Sequence, residues 1–282
     1  MSAISSGNFA YYSGPVSMIG LKNFPIVKPG DDLSELICTH IEKGMLHLQD
    51  GDIFVVAQKI VSVAENALVD LSAIEVKPEA RELSERTGRD APLCQAIIND
   101  SRQVLETKGK VIVTEHRLGF VNTSAGVDKS NVRGAEHAMV SLLPVDPDRS
   151  AAIIRDKILE VFKVKVAVII NDSFGDAYRE GSRGVGIGIA GIEPIRKEKT
   201  TDLYGQPKSS WINRVDEIAG AASALMGQTD GVPIVIGRGF NYRVDENASI
   251  QSLLIPAPQK VVQQAEAAEQ KEGEPPAKRP RK

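Results

Sequence analysis

A strongly apolar run at residues 164–170 is followed at once by the polar residues Asn171, Asp172 and Ser173. A run of this length that ends so abruptly predicts a buried strand. A second aspartate, Asp128, lies among small and polar residues in the stretch Ala-Gly-Val-Asp-Lys-Ser-Asn. Hard cations such as Mg²⁺ or Mn²⁺ prefer oxygen ligands, and carboxylates from loops at the ends of rigid elements provide them in fixed geometry. The two aspartates therefore indicate a cation site, although an aspartate after a strand is more often a turn former or a helix cap.

The composition is that of a folded protein without a strong electrostatic bias. The chain has 282 residues, of which 42% are hydrophobic and 25% charged, enough for one large domain or two smaller ones. A net charge of −3 gives no overall attraction to nucleic acid or to an anionic membrane, so any phosphate binding must be local. Cys38 and Cys94 are far apart and predict buried free thiols. We find neither a leader pattern nor an apolar stretch of about 20 residues, and we expect a cytoplasmic protein.

Helical and extended patterns alternate along the chain, which predicts a mixed α/β (α+β) fold. Asp32 and Glu35 form a capping pattern at the start of the first helix. Helices are expected at residues 32–43, 78–88, 92–107, 146–162 and 211–225, and strands at residues 52–57, 111–114, 164–170 and 234–236. Around these elements we expect a flexible N-terminus (residues 1–19), a body at residues 20–256 with one or two lobes, and a disordered charged tail (residues 257–282).

A glycine-rich stretch at residues 181–191 contains the spacing GxGxxG. A dinucleotide-binding loop needs these glycines between a strand and a helix, whereas this stretch alternates glycine with Val or Ile in an extended pattern. Glycine at alternate positions leaves one face of a strand bare and permits close approach by a backbone or a ligand. We therefore predict a strand that packs closely rather than a dinucleotide site.

Several motifs occur in an order that resembles the coenzyme F420-0:gamma-glutamyl ligase family. They cover roughly residues 20 to 240 and include Phe24-Pro-Ile-Val-Lys-Pro-Gly, Asp50-Gly-Asp-Ile-Phe-Val-Val, Ala125-Gly-Val-Asp-Lys-Ser-Asn, Asp172-Ser-Phe-Gly and Leu225-Met-Gly-Gln. The resemblance implies this family's fold and a homodimer. It also implies a GTP-dependent ligase that requires Mg²⁺ or Mn²⁺ and adds L-glutamate to the carboxylate of a deazaflavin coenzyme precursor through an acyl-phosphate.

The resemblance also implies roles for individual residues. Asp128 and Asp172 would be catalytic, and both would hold the metal together with Ser173 and Gln228. The residues that match nucleotide-contacting segments of the family are Phe24, Pro25, Ile26, Val27, Gln58, Lys59, Asn131, Met226, Gly227, Thr229, Asp230 and Gly231.

Three positions depart from the family pattern. Val63 stands where the family has a phosphate-facing lysine, Asp176 stands where it has an arginine, and Ser173 replaces a threonine while keeping the hydroxyl. Loss of a charge-assisted contact to phosphate costs about 1.5–3 kcal/mol unless Lys59 reaches the same place. Two alternatives to the F420 ligase therefore remain open: a ligase of the same fold with another carboxylate substrate, and a non-catalytic homologue that binds a ligand or a partner.

Overall fold

The computed structural model describes residues 14–129, 138–176 and 179–257 and has a mixed α/β fold. The helices of this part are α1 (Leu33–Lys43), α2 (Gln58–Ala64), α3 (Pro78–Thr87), α4 (Ala91–Asn99), α5 (Pro147–Phe162) and α6 (Arg214–Met226). Its strands are β1 (Ser17–Gly20), β2 (Ile53–Ala57), β3 (Leu68–Asp70), β4 (Ser101–Lys108), β5 (Val111–His116), β6 (Val121–Thr123), β7 (Met139–Ser141), β8 (Ala167–Gly175), β9 (Ser182–Ala190), β10 (Ile195–Thr201), β11 (Pro207–Asn213) and β12 (Ile234–Arg238). The predicted mixed fold is confirmed.

The largest sheet has five strands in the order β1-β12-β2-β8-β9. Strands β2 and β8 run parallel at its centre, and the other neighbours are antiparallel. Residues 53–56 and 167–170 of these two strands are fully buried, as expected for apolar strands covered on both faces. Because β2 and β8 are parallel, their carboxyl ends meet at the same edge, where Ala57 pairs with Asn171.

Strand β9 contains the glycine-rich stretch, and its glycines allow close packing as predicted. A methyl group at Gly188 would overlap the backbone of Pro147 at the start of α5. A methyl group at Gly184 would overlap Ser223 of α6 and would lie 2.7 Å from Asn171 Oδ1. Both helices therefore approach the strand more closely than any side chain would permit.

Strand β8 continues further than the sequence predicts. The apolar run ends at Ile170, but the strand extends to Gly175 with a register shift between Ile170 and Asn171. Its polar half stays extended because residues 171–175 pair with β9. Asp172 consequently lies within a strand and not in a loop after one, which corrects the expectation of a loop ligand at this position.

The helix expected at residues 92–107 is correct only in its first half, because α4 ends at Asn99 and residues 101–108 form β4. The chain turns at Asp100, whose carboxylate accepts hydrogen bonds from His116 Nε2 at 2.8 Å and from Arg117 Nε at 2.6 Å. Strand β4 then pairs with β5, so that tertiary contacts override the helical spacing of Val104 and its neighbours.

The helix expected at residues 211–225 begins three residues later, at Arg214. Asn213 caps it, since its side chain accepts a hydrogen bond from the Asp216 N–H at 3.0 Å. Trp211 and Ile212 instead belong to β11, which forms a separate hairpin with β10. The short turn between these strands leaves Leu203 99% exposed.

Two groups of buried apolar side chains stabilise the described part of the molecule. The larger surrounds the five-stranded sheet. The smaller lies between α3, α4 and β5 and includes Leu83, Ile97 and Ile112. Cys38 belongs to the first group and Cys94 to the second, and both thiols are buried and free, as predicted. Within the described residues, no helix is long and apolar enough to cross a membrane.

Candidate active site

A cavity of about 380 Å³ opens where β2 ends and the polar half of β8 continues beyond it. Its walls come from the segment before α1, the start of α2, the polar half of β8 and the loop after α6. The predicted site residues that line it are Phe24, Pro25, Ile26, Val27, Gln58, Lys59, Asp128, Asp172, Ser173, Met226, Gly227, Gln228, Thr229 and Gly231. Residues separated by some 200 positions in the sequence thus face one space.

The sheet explains why these residues meet. Helix α2 begins at Gln58, directly after β2, while Asp172 follows the residue with which β2 ends its pairing. Ligands of open α/β sheets bind outside the carboxyl ends of parallel strands, where polar side chains of adjacent strands converge. The start of α2 and the polar half of β8 therefore lie next to each other, because β2 and β8 are parallel neighbours.

Asp128 reaches the cavity from a strained turn. Ser124, Ala125 and Gly126 all have left-handed backbone conformations, with φ of 54°, 51° and 67°. Each non-glycine residue of this kind costs about 1–3 kcal/mol and persists only when its surroundings fix it. Here the Ala125 N–H donates to Thr114 Oγ1 at 2.9 Å, and the Asp128 backbone exchanges hydrogen bonds of 3.0 and 2.8 Å with Ser141.

The Asp128 carboxylate forms an ion pair across the cavity. Its Oδ2 atom lies 2.7 Å from Lys59 Nζ, and both side chains are partly exposed. Lys59 lies in the first turn of α2, and Val63 lines the cavity one turn later on the same face. A positive charge is therefore present in the cavity, although the position of Val63 provides none.

Asp172 is held in an environment that disfavours its charge. Withdrawal from water raises its pKa to about 6, and the negative charge of Asp128 acts in the same direction. Hydrogen bonds from the Ser173 N–H, at 2.8 Å, and from Gln58 oppose this shift, as does the positive charge of Lys59. The two carboxylates are thus close enough to repel each other, and a bound cation would relieve that repulsion.

Two further oxygen-bearing side chains meet beside Asp172. Gln228 Nε2 donates a hydrogen bond to Ser173 Oγ at 3.1 Å. Gln228 follows Gly227, which ends α6 with φ 58° and ψ −165°. That conformation is essentially restricted to glycine, so Gly227 allows the chain to turn into the cavity wall. The predicted set Asp128, Asp172, Ser173 and Gln228 therefore lines the same space.

The oxygen donors of the cavity suit a divalent cation that takes only part of its ligands from the protein. Across the described residues, no group of three or more His, Cys, Asp or Glu side chains is arranged to hold a metal. Mg²⁺ is commonly bound by one or two carboxylates, with water and substrate phosphates completing its coordination. Two aspartates beside a hydroxyl and an amide suit a cation that arrives with a phosphate ligand, and they do not suit a site closed by protein ligands alone.

Two of the sequence positions lie outside the wall of this cavity, and a third cannot be placed. Asp230 lies beside Gly227, outside the cavity wall. Asn131 is outside the described residues. Asp176, which stands where the family has an arginine, pairs with Arg183 at 3.2 Å and lines a second cavity further along β8.

Sequence reasoning missed some of the cavity wall. Asn171 is buried, lines the cavity and donates from Nδ2 to Ser223 Oγ at 3.0 Å. Ile60 and Pro233 are also part of the wall. The polar residue that precedes Asp172 could have indicated Asn171, whereas Ser223 is an ordinary member of the α6 sequence and gives no such signal.

Comparison with known proteins identifies the family of this chain. The family model described as F420-0:Gamma-glutamyl ligase matches residues 22–239. The chain is 41% identical over 245 residues to coenzyme F420:L-glutamate ligase of Methanothermobacter thermautotrophicus, covering 86% of this chain and 96% of the relative. It is 42% identical over 222 residues to the protein of the same name from Methanopyrus kandleri, covering 78% and 85%. The Methanocaldococcus jannaschii protein of that name is 37% identical over 231 residues, covering 80% and 88%. The chain therefore belongs to the F420-0:gamma-glutamyl ligase family and is an enzyme of this ligase type.

Proposed function

We propose that this enzyme uses GTP and Mg²⁺ or Mn²⁺ to join L-glutamate to the carboxylate of a deazaflavin coenzyme F420 precursor. The observation that carries the proposal is the convergence of one ammonium group, on Lys59, and two carboxylates, on Asp128 and Asp172, in a single cavity. Relatives that the chain matches over most of its length are named coenzyme F420:L-glutamate ligase, which supports the choice of substrates.

The cavity has an apolar wall that suits the base of a nucleotide and charged groups that suit its phosphates. Residues 24–27 form a largely apolar wall, to which Ile60 and Val63 of α2 contribute. A planar base binds well to such a wall because its faces are apolar. Lys59 lies next to this wall and provides a charged donor for phosphate oxygens. The triphosphate would thus extend from the apolar wall towards the two aspartates.

The aspartates would hold the cation, which supplies positive charge to the triphosphate during phosphoryl transfer. Lys59 has two anionic partners in this arrangement. In the structure its ammonium pairs with Asp128, and with GTP bound it would donate to phosphate while Asp128 turns to the cation. This exchange keeps the charges of Lys59 and Asp128 paired in both states, which matters because unpaired charges are costly in a cavity.

The reaction then needs two displacements. An oxygen of the acceptor carboxylate attacks the γ-phosphorus of GTP, the bond to the β-phosphate oxygen breaks, and GDP leaves. The amine of L-glutamate, after losing one proton to solvent, attacks the acyl carbon. A C–N bond forms, the acyl C–O bond breaks, inorganic phosphate leaves and the nitrogen loses a second proton. Phosphorylation is required because an ionised carboxylate is a poor electrophile.

The test is product formation by the full chain. With GTP, Mg²⁺, L-glutamate and the deazaflavin precursor together, mass spectrometry should show the acceptor heavier by one glutamate residue, together with equal amounts of GDP and phosphate. Omission of any one component should stop formation of the amide product. If other carboxylic acids are glutamylated in place of the precursor, the chain is a ligase of the same fold with another carboxylate substrate. If GTP is neither bound nor consumed with any acceptor, the proposal is wrong.

The homodimer implied by the family resemblance stays a prediction. Light scattering on the purified chain should give twice its mass of 30.4 kDa, and a monomeric mass would refute it.

A further inference from the structure

A second cavity, of about 550 Å³, lies further along strand β8. Gly175 and Asp176 line it, whereas Asp172 and Ser173 line the first cavity. Three residues of extended strand span about 10 Å, so the two cavities are near neighbours.

The strained turn connects the same two spaces. Ser124, at its start, lines the second cavity, and Asp128, just after it, lines the first. Thr123 also lines the second cavity, and its Oγ1 atom would lie 3.3 Å from a methyl group at Gly175. The two segments that carry the catalytic aspartates therefore form part of both cavities. A ligand in the second cavity would lie next to the site of phosphoryl transfer.

The second cavity has a mixed charge pattern. Its walls include the basic residues Arg89, Lys108 and Arg179 and the acidic residues Asp176 and Glu180. Counted as formal charges these sum to +1, an excess that favours an anion without excluding a cationic group. The first cavity, by contrast, combines one lysine with two aspartates. The two spaces thus suit different ligands.

Some of these charged groups are already oriented. Arg89 donates from Nε to the Lys110 carbonyl at 2.7 Å, which fixes the plane of its guanidinium group. Asp176 pairs with Arg183 at 3.2 Å, and the positive charge of Arg183 offsets the negative charge of Asp176. Arginine presents a planar set of donors that matches a carboxylate, so Arg89 is suited to bind one.

We propose that the second cavity binds the amino-acid substrate, L-glutamate. This inference rests on the proposed ligase function and adds the location of its third substrate. L-Glutamate carries two carboxylates and one ammonium group. Arg89 and Arg179 bind the carboxylates, and Glu180 accepts a hydrogen bond from the ammonium group before it loses its proton. The amine then approaches the acyl carbon along the polar half of β8, which lines both cavities.

The test compares Arg179→Gln and Arg89→Gln with a matched control, Arg86→Gln. Arg86 is an exposed arginine of α3 that donates to Thr107 Oγ1 at 2.8 Å, outside both cavities. In steady-state assays of the full chain, each cavity variant should raise the KM for L-glutamate at least tenfold and leave the KM for GTP within twofold. The control should change neither value. Arg179 is exposed, so its replacement is not expected to affect folding.

A second measurement separates failure of this inference from failure of the proposed function. Calorimetric titration with L-glutamate requires no turnover, and it should show binding to the wild-type chain in the presence of GDP and Mg²⁺ and loss of binding in Arg179→Gln. If the variants raise the KM for the deazaflavin precursor instead, or change no parameter, the cavity does not bind glutamate. If the wild-type chain forms no amide and yet binds glutamate in an Arg179-dependent manner, only the proposed reaction is wrong. Absence of glutamate binding to an active wild-type enzyme would refute the inference.

Discussion

Lys59 Nζ lies 2.7 Å from the Asp128 carboxylate, and the two residues come from segments almost 70 positions apart in the sequence. Lys59 directly follows the first residue of α2, and Asp128 follows the strained turn at residues 124–126. The pair places a positive charge beside a proposed cation ligand in the same cavity as the apolar wall. In the proposed reaction the lysine supplies the phosphate contact that Val63 cannot make.

Replacement of Lys59 by Met tests this assignment. The change removes the ammonium group and keeps most of the side-chain volume. Loss of a charge-assisted contact costs about 1.5–3 kcal/mol, which corresponds to roughly a 10- to 150-fold fall in kcat/KM for GTP. Lys157→Met is the matched control, because Lys157 pairs with Glu35 on the surface at 3.0 Å. Activity of Lys59→Met within twofold of wild type would show that the lysine does not contact phosphate.

The two aspartates should be required for the effect of the cation on nucleotide binding. Asp128→Asn and Asp172→Asn each keep the side-chain shape and remove one negative charge. We expect Mn²⁺ to tighten GTP binding to the wild-type chain at least tenfold and to have little effect on either variant. Isothermal titration with and without Mn²⁺ measures this difference. Asp156→Asn, on the exposed face of α5, is the control and should behave as wild type. If Mn²⁺ still tightened GTP binding in both site variants, the two aspartates would not be the cation ligands.

Cation binding should depend on pH through Asp172. Its pKa is raised to about 6, chiefly by withdrawal from water, and only the ionised carboxylate binds a cation. Affinity should therefore be full at pH 7.5, about half of that at pH 6, and should approach a tenfold fall per pH unit at lower pH. Mn²⁺ titrations followed by electron paramagnetic resonance between pH 7.5 and 5 measure this slope. Asp172→Asn should bind weakly and lose the slope.

Protonation of Asp172 does not by itself destabilise the folded chain in this pH range. Because the folded-state pKa of Asp172 lies above its ordinary value of 3.8, the folded chain binds more protons than the unfolded chain between these two values. This group therefore contributes more stability as the pH falls through that window. A wild-type affinity that stays constant from pH 7.5 to 5 would contradict the assignment.

The glycines of β9 should matter for stability. A methyl group at Gly188 would overlap the Pro147 backbone, which is less able to move than a side chain. Overpacking of this kind costs about 1–3 kcal/mol, so Gly188→Ala should lower the midpoint of thermal unfolding by several degrees. Gly14→Ala is the control, since a methyl group there meets nothing within 4 Å. An unchanged midpoint for Gly188→Ala would show that α5 can shift without cost.

Most of the main elements could be predicted because their signals are local. Asp32 caps α1 through the Glu35 N–H at 3.0 Å, as the sequence pattern indicates. The apolar runs of β2 and β8 predict buried strands for the same reason. The prediction of a helix at residues 92–107 was wrong in its second half, because it depends on distant residues: Asp100 forms a hydrogen bond with His116 and an ion pair with Arg117 where the chain turns.

The candidate site could likewise be predicted only in part. Asp128 and Asp172 are visible in the sequence as isolated carboxylates among small or polar residues, but nothing local shows that they face each other. That follows from the parallel pairing of β2 with β8 and from the bridge between Asp128 and Ser141. The position of Asp176 was also beyond local reasoning, because its place in the second cavity depends on how far β8 extends.

The most direct test of the proposed reaction follows one oxygen atom. The deazaflavin precursor is labelled with ¹⁸O in its acceptor carboxylate and incubated with the full chain, GTP, Mg²⁺ and L-glutamate. If the carboxylate attacks the γ-phosphorus and the amine then displaces phosphate, one ¹⁸O atom per turnover passes into inorganic phosphate, which mass spectrometry detects as a gain of about two mass units. Phosphate that contains no ¹⁸O, released together with the amide product, would contradict the acyl-phosphate route.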